Sequence, residues 1–413
     1  RKQRLGYQSD HTDSTDQTTE QSFYCQRGGT NTGTKGFNHM IRFIFAVILC
    51  LPSGFTAAES PRQECLGRLT FDVPEEMEWA TFHADYIHRV SDGGGHGFGL
   101  KVGAKGDLAF YDFNGLIIHV SDIVDRSEFE SAVGYQKGTG RRYQKTLREN
   151  IESDKRRLAK LPAMGYGPEE LVELEQTIKD LEAQIPNAIP REHDLGIPDA
   201  YFLGGDFPGF GYVYRNQRVY YFAMRQGAVD GTGVEAFKNL MARFRPRALY
   251  EVPEGPGICF PYGFIADDGK TAYSIKNSLR FTSTPNVIFT LVTASVGDPR
   301  HTRPTTGTYD TDYRPGYDGT KWKLTRFIEP SYIGDRLAGL EGWRLDPRPE
   351  SGEQERAWFA LAHTGGLLNP LIAVQIFTFQ KGLDNLTEFT PPPEDVLPRW
   401  KVLSESIRVT LDK

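Results

Sequence analysis

Cysteine is scarce, with four residues in a chain of 413. None stands in the Cys-x-x-Cys spacing that holds zinc or carries thiol redox chemistry. His-Glu-x-x-His is absent as well, which removes the helical zinc-hydrolase signature. There is no Gly-x-Ser-x-Gly nucleophile elbow. Its nearest approach, Thr293-Ala294-Ser295-Val296-Gly297, has threonine where the sharp turn needs glycine, and Pro299 and Pro304 interrupt any helix after it. An excess of positive charge is also lacking: 48 Lys and Arg against 54 Asp and Glu give a net charge of -6. Without basic clusters interleaved with aromatics, no nucleic-acid partner is expected. No apolar run reaches the roughly twenty residues of a membrane span, so no stable membrane anchor is expected either.

Isolated polar groups give little more. His83 and His88 lie five apart, which suits neither a helix face nor a strand face, and they read as surface or half-buried histidines. Gly95-x-Gly97-x-Gly99 is followed by the strand-like Leu100-Lys101-Val102 where a dinucleotide fingerprint needs a helix, so it reads as a flexible turn. Asp267-Asp268 and Asp310 with Asp312 fall in turns where aspartate satisfies local hydrogen bonds. Calcium is the alternative for these carboxylates, although no twelve-residue ligand loop is visible. No catalytic residue, metal ligand or cofactor is assigned.

What is present begins with an export pattern. Residues 1–39 are polar and poor in large aliphatics, and read as an upstream non-coding stretch or a disordered tail. Met40-Ile41-Arg42 then gives a positive start, Phe43 to Leu51 an apolar run, and Thr56-Ala57-Ala58 small residues for cleavage. Residues 40–58 are therefore expected to be a signal peptide beginning at Met40, with the periplasm as destination. Ile48 and Leu49 before Cys50 are too large for a lipidation site. Export leaves Cys65 and Cys259, and an even pair in an oxidising compartment is most simply a disulfide; two buried thiols are the alternative.

The remaining chain divides in two. Cys65 to Pro74 reads as an opening strand, and Gly257 to Ile265 repeats the theme of a cysteine at the start of an apolar, aromatic strand. Asn114-Gly115 between Leu108–Phe113 and Leu116–Val120 is a hairpin signal. Leu147, Ile151, Leu158 and Leu161, then Leu171, Leu174, Ile178, Leu181 and Ile185, recur at helical spacing and predict a helical arm over 142–186, its second helix starting at Pro168. Strands follow at 210–214 and 219–224, and a helix at 234–244 ends in Arg245-Pro246-Arg247. The second half shows strands near 279–283, 287–294 and 371–379, and closes on a helix bearing Leu397, Trp400, Leu403 and Ile407. The expected fold is α+β with two domains, 59–249 and 250–413. Each is an antiparallel sheet with flanking helices, and the first carries the inserted helical hairpin.

The most unusual stretch is the long polar segment from Arg303 to Trp322. Its Tyr309, Asp310, Asp312, Tyr313, Arg314, Tyr317 and Asp318 combine large contact area with polar tips, as residues at protein interfaces do. Partner binding and a plain mobile loop are the two readings.

The landmarks together resemble a known family. Cys65-Leu66-Gly67-Arg68 leading to Phe71-Asp72-Val73-Pro74, the helical arm, Phe244-Arg245-Pro246-Arg247, and Gly257-Ile258-Cys259-Phe260 with Gly263-Phe264-Ile265 look like the immunity proteins of bacterial type VI secretion lipase effectors. The likeness is to the two-domain family that neutralises the fourth class of such lipases; it spans nearly all of the exported chain and is looser in the second half. It implies a periplasmic inhibitor, not an enzyme, that grips a cognate lipase effector and occludes its cleft or lid. Contact residues do not carry over, because the matching motifs are strand and helix ends. An exported hydrolase and a cell-envelope adaptor are the rival readings.

Overall fold

The computed structural model describes residues 62–88, 98, 106–112, 115–204, 209–224, 232–297, 318–366 and 368–410. The upstream stretch 1–39, the signal at 40–58 and the glycine loop's Gly95, Gly97 and Gly99 lie outside the described residues.

The first half supplies strands β1 (Arg62–Leu66), β2 (Leu69–Val73), β3 (Met77–Trp79), β4 (Leu108–Tyr111) and β5 (Leu116–Val120), then helices α1 (Arg126–Lys160) and α2 (Pro168–Gln184). It continues through β6 (Arg191–His193), β7 (Ala200–Gly204), β8 (Gly209–Arg215), β9 (Arg218–Met224), α3 (Thr232–Arg243) and β10 (Phe244–Pro246). The second half supplies β11 (Gly257–Phe260), β12 (Gly263–Ala266), β13 (Tyr273–Phe281), β14 (Val287–Ala294), β15 (Trp322–Ile333) and β16 (Arg336–Pro347). It ends with β17 (Ala357–Thr364), β18 (Leu371–Thr378), α4 (Pro393–Glu405) and β19 (Arg408–Val409). This is the expected α+β fold with antiparallel sheets.

Thirteen strands form one sheet in the order β15-β16-β17-β18-β14-β13-β4-β5-β9-β8-β7-β6, with β3 also pairing with β13. Its central strands are buried on both faces. Along β5 and β9, Ile118, Val120, Tyr220 and Phe222 face one apolar cluster, while Ile117, Tyr221 and Ala223 face another. The first cluster packs under β1, β2, α3, β11, β12 and α4; the second packs under Phe129, Ala132 and Val133 of α1. The β8–β9 turn places Asn216 and Gln217 both at positive φ, the geometry that matches the twist of a two-residue hairpin.

Several elements differ from expectation. Helix α1 starts sixteen residues before 142, at a capping box: the Asp125 carboxylate accepts from Ser127 N and Glu128 N, and Glu128 accepts from Asp125 N at 3.1 Å. The strand expected at 279–283 is the end of β13, which runs from Tyr273 to Phe281 and leaves Thr282 and Ser283 in a turn. Ile407 lies beyond α4, which ends at Glu405. Strands β15, β16 and β17 fall where the periodicity predicts nothing; half of β15 is exposed, and in β15 and β16 charged and apolar residues do not alternate cleanly.

The halves exchange strands. The closing strand β10 of the first pairs with β12 of the second, and the closing strand β19 of the second pairs with β2 of the first. Central strand β13, from the second half, takes β4 and β3 of the first along one edge.

Candidate functional site

The opening pentad Glu64-Cys65-Leu66-Gly67-Arg68 ties these elements together. Cys65 and Cys259 are joined by a disulfide between residues 194 apart. Two residues on, Gly67 exchanges two backbone hydrogen bonds of 2.7 Å with Cys259. Gly67 has φ +61°, and a Cβ there would stand 2.5 Å from the Tyr273 ring and 2.8 Å from Thr293, so both the turn and the close approach require glycine.

Two buried ion pairs flank this bridge. Arg247 meets Glu64 at 2.6 Å with neither side chain exposed, and also donates to the carbonyls of Cys65 and Phe260. Glu64 accepts further from Cys65 N and Tyr250 N. On the other side, Arg68 donates both nitrogens to Asp267 at 2.9 and 3.0 Å and reaches the carbonyls of Gly257 and Thr271. Tyr111 adds a hydroxyl bond to Asp267 and receives one from Arg243. Buried charges persist only when paired and hydrogen-bonded in this way. The Asp267 carboxylate is thus committed to the seam between the halves, and Asp268 accepts from Lys270 N and Thr271 N in the turn beside it.

The positions that came nearest to catalytic motifs have structural partners. Ser295 accepts a hydrogen bond from Tyr273 N. His83 approaches Asp122 at 3.4 Å on the surface, and the His88 ring stacks on Tyr135. Among the described residues no group of three His, Cys, Asp or Glu side chains converges as a metal site would. Besides these ion pairs, His119 and Asp107 are also buried. His119 donates from Nδ1 to Ile87 O at 2.6 Å, stacks on Phe82, and is pushed down to about 4, first by burial and then by His88, against the Ile87 hydrogen bond. Asp107, just before β4, has neither carboxylate oxygen hydrogen-bonded, and burial raises its pKa well above the usual range against the pull of Arg247.

Of the seven partner-binding candidates, Tyr309, Asp310, Asp312, Tyr313, Arg314 and Tyr317 lie outside the described residues. Asp318 is exposed and its carboxylate accepts from Thr320 N and Thr320 Oγ1 at 2.9 and 2.6 Å. Its carbonyl accepts from Lys321 N and Trp322 N, so it shapes the turn that leads into β15. The strand beyond that turn escapes sequence reading. β15 is the last strand of the large sheet, twelve residues long, and with β16 it exposes Leu324, Ile328, Tyr332 and Leu337. The opposite edge, β6, has three residues.

Residues 251–410 match the family model described as the Tle cognate immunity protein 4 C-terminal domain. This segment matches an immunity-protein family. The resemblance drawn from landmarks in both halves is borne out there, in the half where it was looser. Among solved structures the chain is similar to the immunity protein TplEi of the T6SS from Pseudomonas aeruginosa complexed with "L" peptide, at 13% identity over 86% of this chain and 99% of that one, TM-score 0.45. It is similar also to the Tle4-Tli4 complex, at 13% identity over 84% of this chain and 97% of that one, TM-score 0.45. No curated protein matches it.

Proposed function

We propose that this protein is a periplasmic immunity protein that binds a type VI secretion phospholipase effector and inhibits it, protecting the cell that makes it, with no catalytic activity of its own. The match of residues 251–410 to the Tle cognate immunity protein 4 C-terminal domain carries the reading. The Cys65–Cys259 bridge is in keeping with it, because structural disulfides persist in oxidising compartments such as the periplasm. Delivery there falls to the signal at 40–58. In this reading 59–249 and 250–413 act as two domains on one effector. The segment containing Tyr309, Asp310, Asp312, Tyr313, Arg314, Tyr317 and Asp318 contributes contacts, on the strength of its composition.

The test is co-purification with the lipase encoded beside its gene, followed by a phospholipase assay with and without this protein. A stable complex with lost lipase activity is the expected result, and Tyr313→Ala with Tyr317→Ala then weakens inhibition while leaving Tm unchanged. If the two proteins neither associate nor alter activity, the pairing is wrong.

A further inference from the structure

Where the β15–β16 turn meets the end of α4 lies a cavity of about 510 Å³, within the range of small-ligand pockets. Gly334 docks the turn there: its N–H donates to Ser404 O at 2.8 Å, and a Cβ on it would stand 2.5 Å from Ile407 O. The walls are thus fixed to one another. Part of the lining is apolar, from Ile333 of β15, Ile372 of β18 and Ile407 just before β19.

The rest is charged, in both signs. Asp335 and Arg336 come from the hairpin, Glu405 from α4 and Arg408 from β19. Among the described residues none of the four is in an ion pair, although they line one cavity. Arg336 donates from Nη2 to Asn369 Oδ1 at 3.4 Å, and its Nη1 is buried with no hydrogen-bond partner. A guanidinium held by one neutral amide keeps its charge unmatched, and its planar fork suits a carboxylate. Glu405 is the last residue of α4, where the free carbonyls of the helix end add negative potential and favour a cation.

A strand edge borders the same space. β19 is the last strand of the small sheet β1-β2-β19. Thr410 N donates to Arg68 O at 3.1 Å, so Val409, the alternate residue opposite Leu69, turns its N–H and C=O away from β2. Val409 lines the cavity too.

We propose that this cavity binds a short free peptide with both termini charged. Its C-terminal carboxylate lies on Arg336, its N-terminal ammonium on Glu405, and its apolar side chains against the isoleucines. A simple anion would leave the carboxylates unmatched and a simple cation the guanidiniums, and neither would use the open edge at Val409. The site does not depend on effector binding.

The experiment is calorimetric titration of the full chain with leucyl-leucine and, separately, with its N-acetyl and C-amide forms. Saturable binding of the free dipeptide is expected, with each capped form weaker by about tenfold or more, the loss of one charge-assisted contact. Arg336→Gln should weaken the free dipeptide by a similar factor and leave the C-amide form unchanged; Glu405→Gln should do the same with respect to the N-acetyl form. Neither variant should alter Tm. No saturable binding, capped forms bound as tightly as the free dipeptide, or affinity indifferent to both variants would each overturn the proposal. Phosphoethanolamine, titrated in parallel, would overturn it as well if it bound more tightly than the dipeptide, since the ligand would then be a lipid head group. Because the titration contains no lipase, its failure leaves the immunity reading to its own assay.

Discussion

The opening hairpin β1–β2 and the outer hairpin β15–β16 share one plan, two antiparallel strands joined by a two-residue turn that begins with a glycine at φ +61°. Their fates differ. The first has five residues per strand and is buried from Glu64 onward except at Asp72, held by a disulfide, a backbone bridge and two buried ion pairs to residues roughly two hundred positions away. The second has twelve residues per strand and leaves Ile328 63% and Leu337 71% exposed. A short hairpin buries too little of its own surface to order itself, and its position here is set by ties made elsewhere in the chain. The long one is ordered by its own ladder and by β17, which frees its outer face.

Breaking the seam should have the largest effect. Arg247→Ala leaves the buried Glu64 carboxylate without its counter-charge, and about 3 to 5 kcal/mol of stability should go with it. Urea unfolding checks this. The double variant Glu64→Gln, Arg247→Met should recover much of the loss, since the cost lies in the unpaired charge; no recovery would mean that the guanidinium's carbonyl bonds matter more. Replacing both cysteines by alanine comes next, at about 2 to 4 kcal/mol, by releasing a constraint on the unfolded chain. Mass mapping under non-reducing conditions reads the bridge directly.

This contrast also explains what could be read in advance. Cys65 to Arg68 and Arg245 to Arg247 are legible because a seam fixes residue types, as at Gly67 where only glycine fits; Glu64, whose role is to pair Arg247, carries no such mark in the sequence. The arm was legible from Leu147 onward, where leucines and Ile151 recur at helical spacing, but not over 126–142, where the buried stripe is built from Phe129, Ala132, Val133 and Gly140, although Asp125 and Glu128 spell a capping box. The outer hairpin gave no signal. Trp322 to Ile333 mixes Lys, Arg, Glu and Pro among apolar residues because an exposed edge selects against a clean alternating strand that could pair with another chain.

His119 offers an intermediate case, a buried polar group with no charge to neutralise it. Its pKa is lowered from 6.5 to about 4, so the neutral ring's full contribution is present above pH 6.5 and is lost as pH falls toward 4. The decline should amount to about 3 kcal/mol across that window. Urea titrations at several pH values check it, and His119→Gln should remove that component of the slope. A slope unchanged in the variant would assign the acid sensitivity to other groups.

The smallest effect belongs to the outer hairpin. Ile328→Ser and Leu337→Ser remove apolar groups that are already largely in water, so little transfer energy is lost on folding. Each should change stability by less than about 0.5 kcal/mol, against several for a seam residue. The measurement sharpens the comparison in a way the larger effects cannot. If either serine costs about 2 kcal/mol or more, the scale of a buried apolar side chain, that position is covered in solution, and the outer hairpin is a second buried element instead of a free edge. A cost near zero leaves β15 as a long edge strand kept in place by its neighbours alone, with an apolar face that folding does not need.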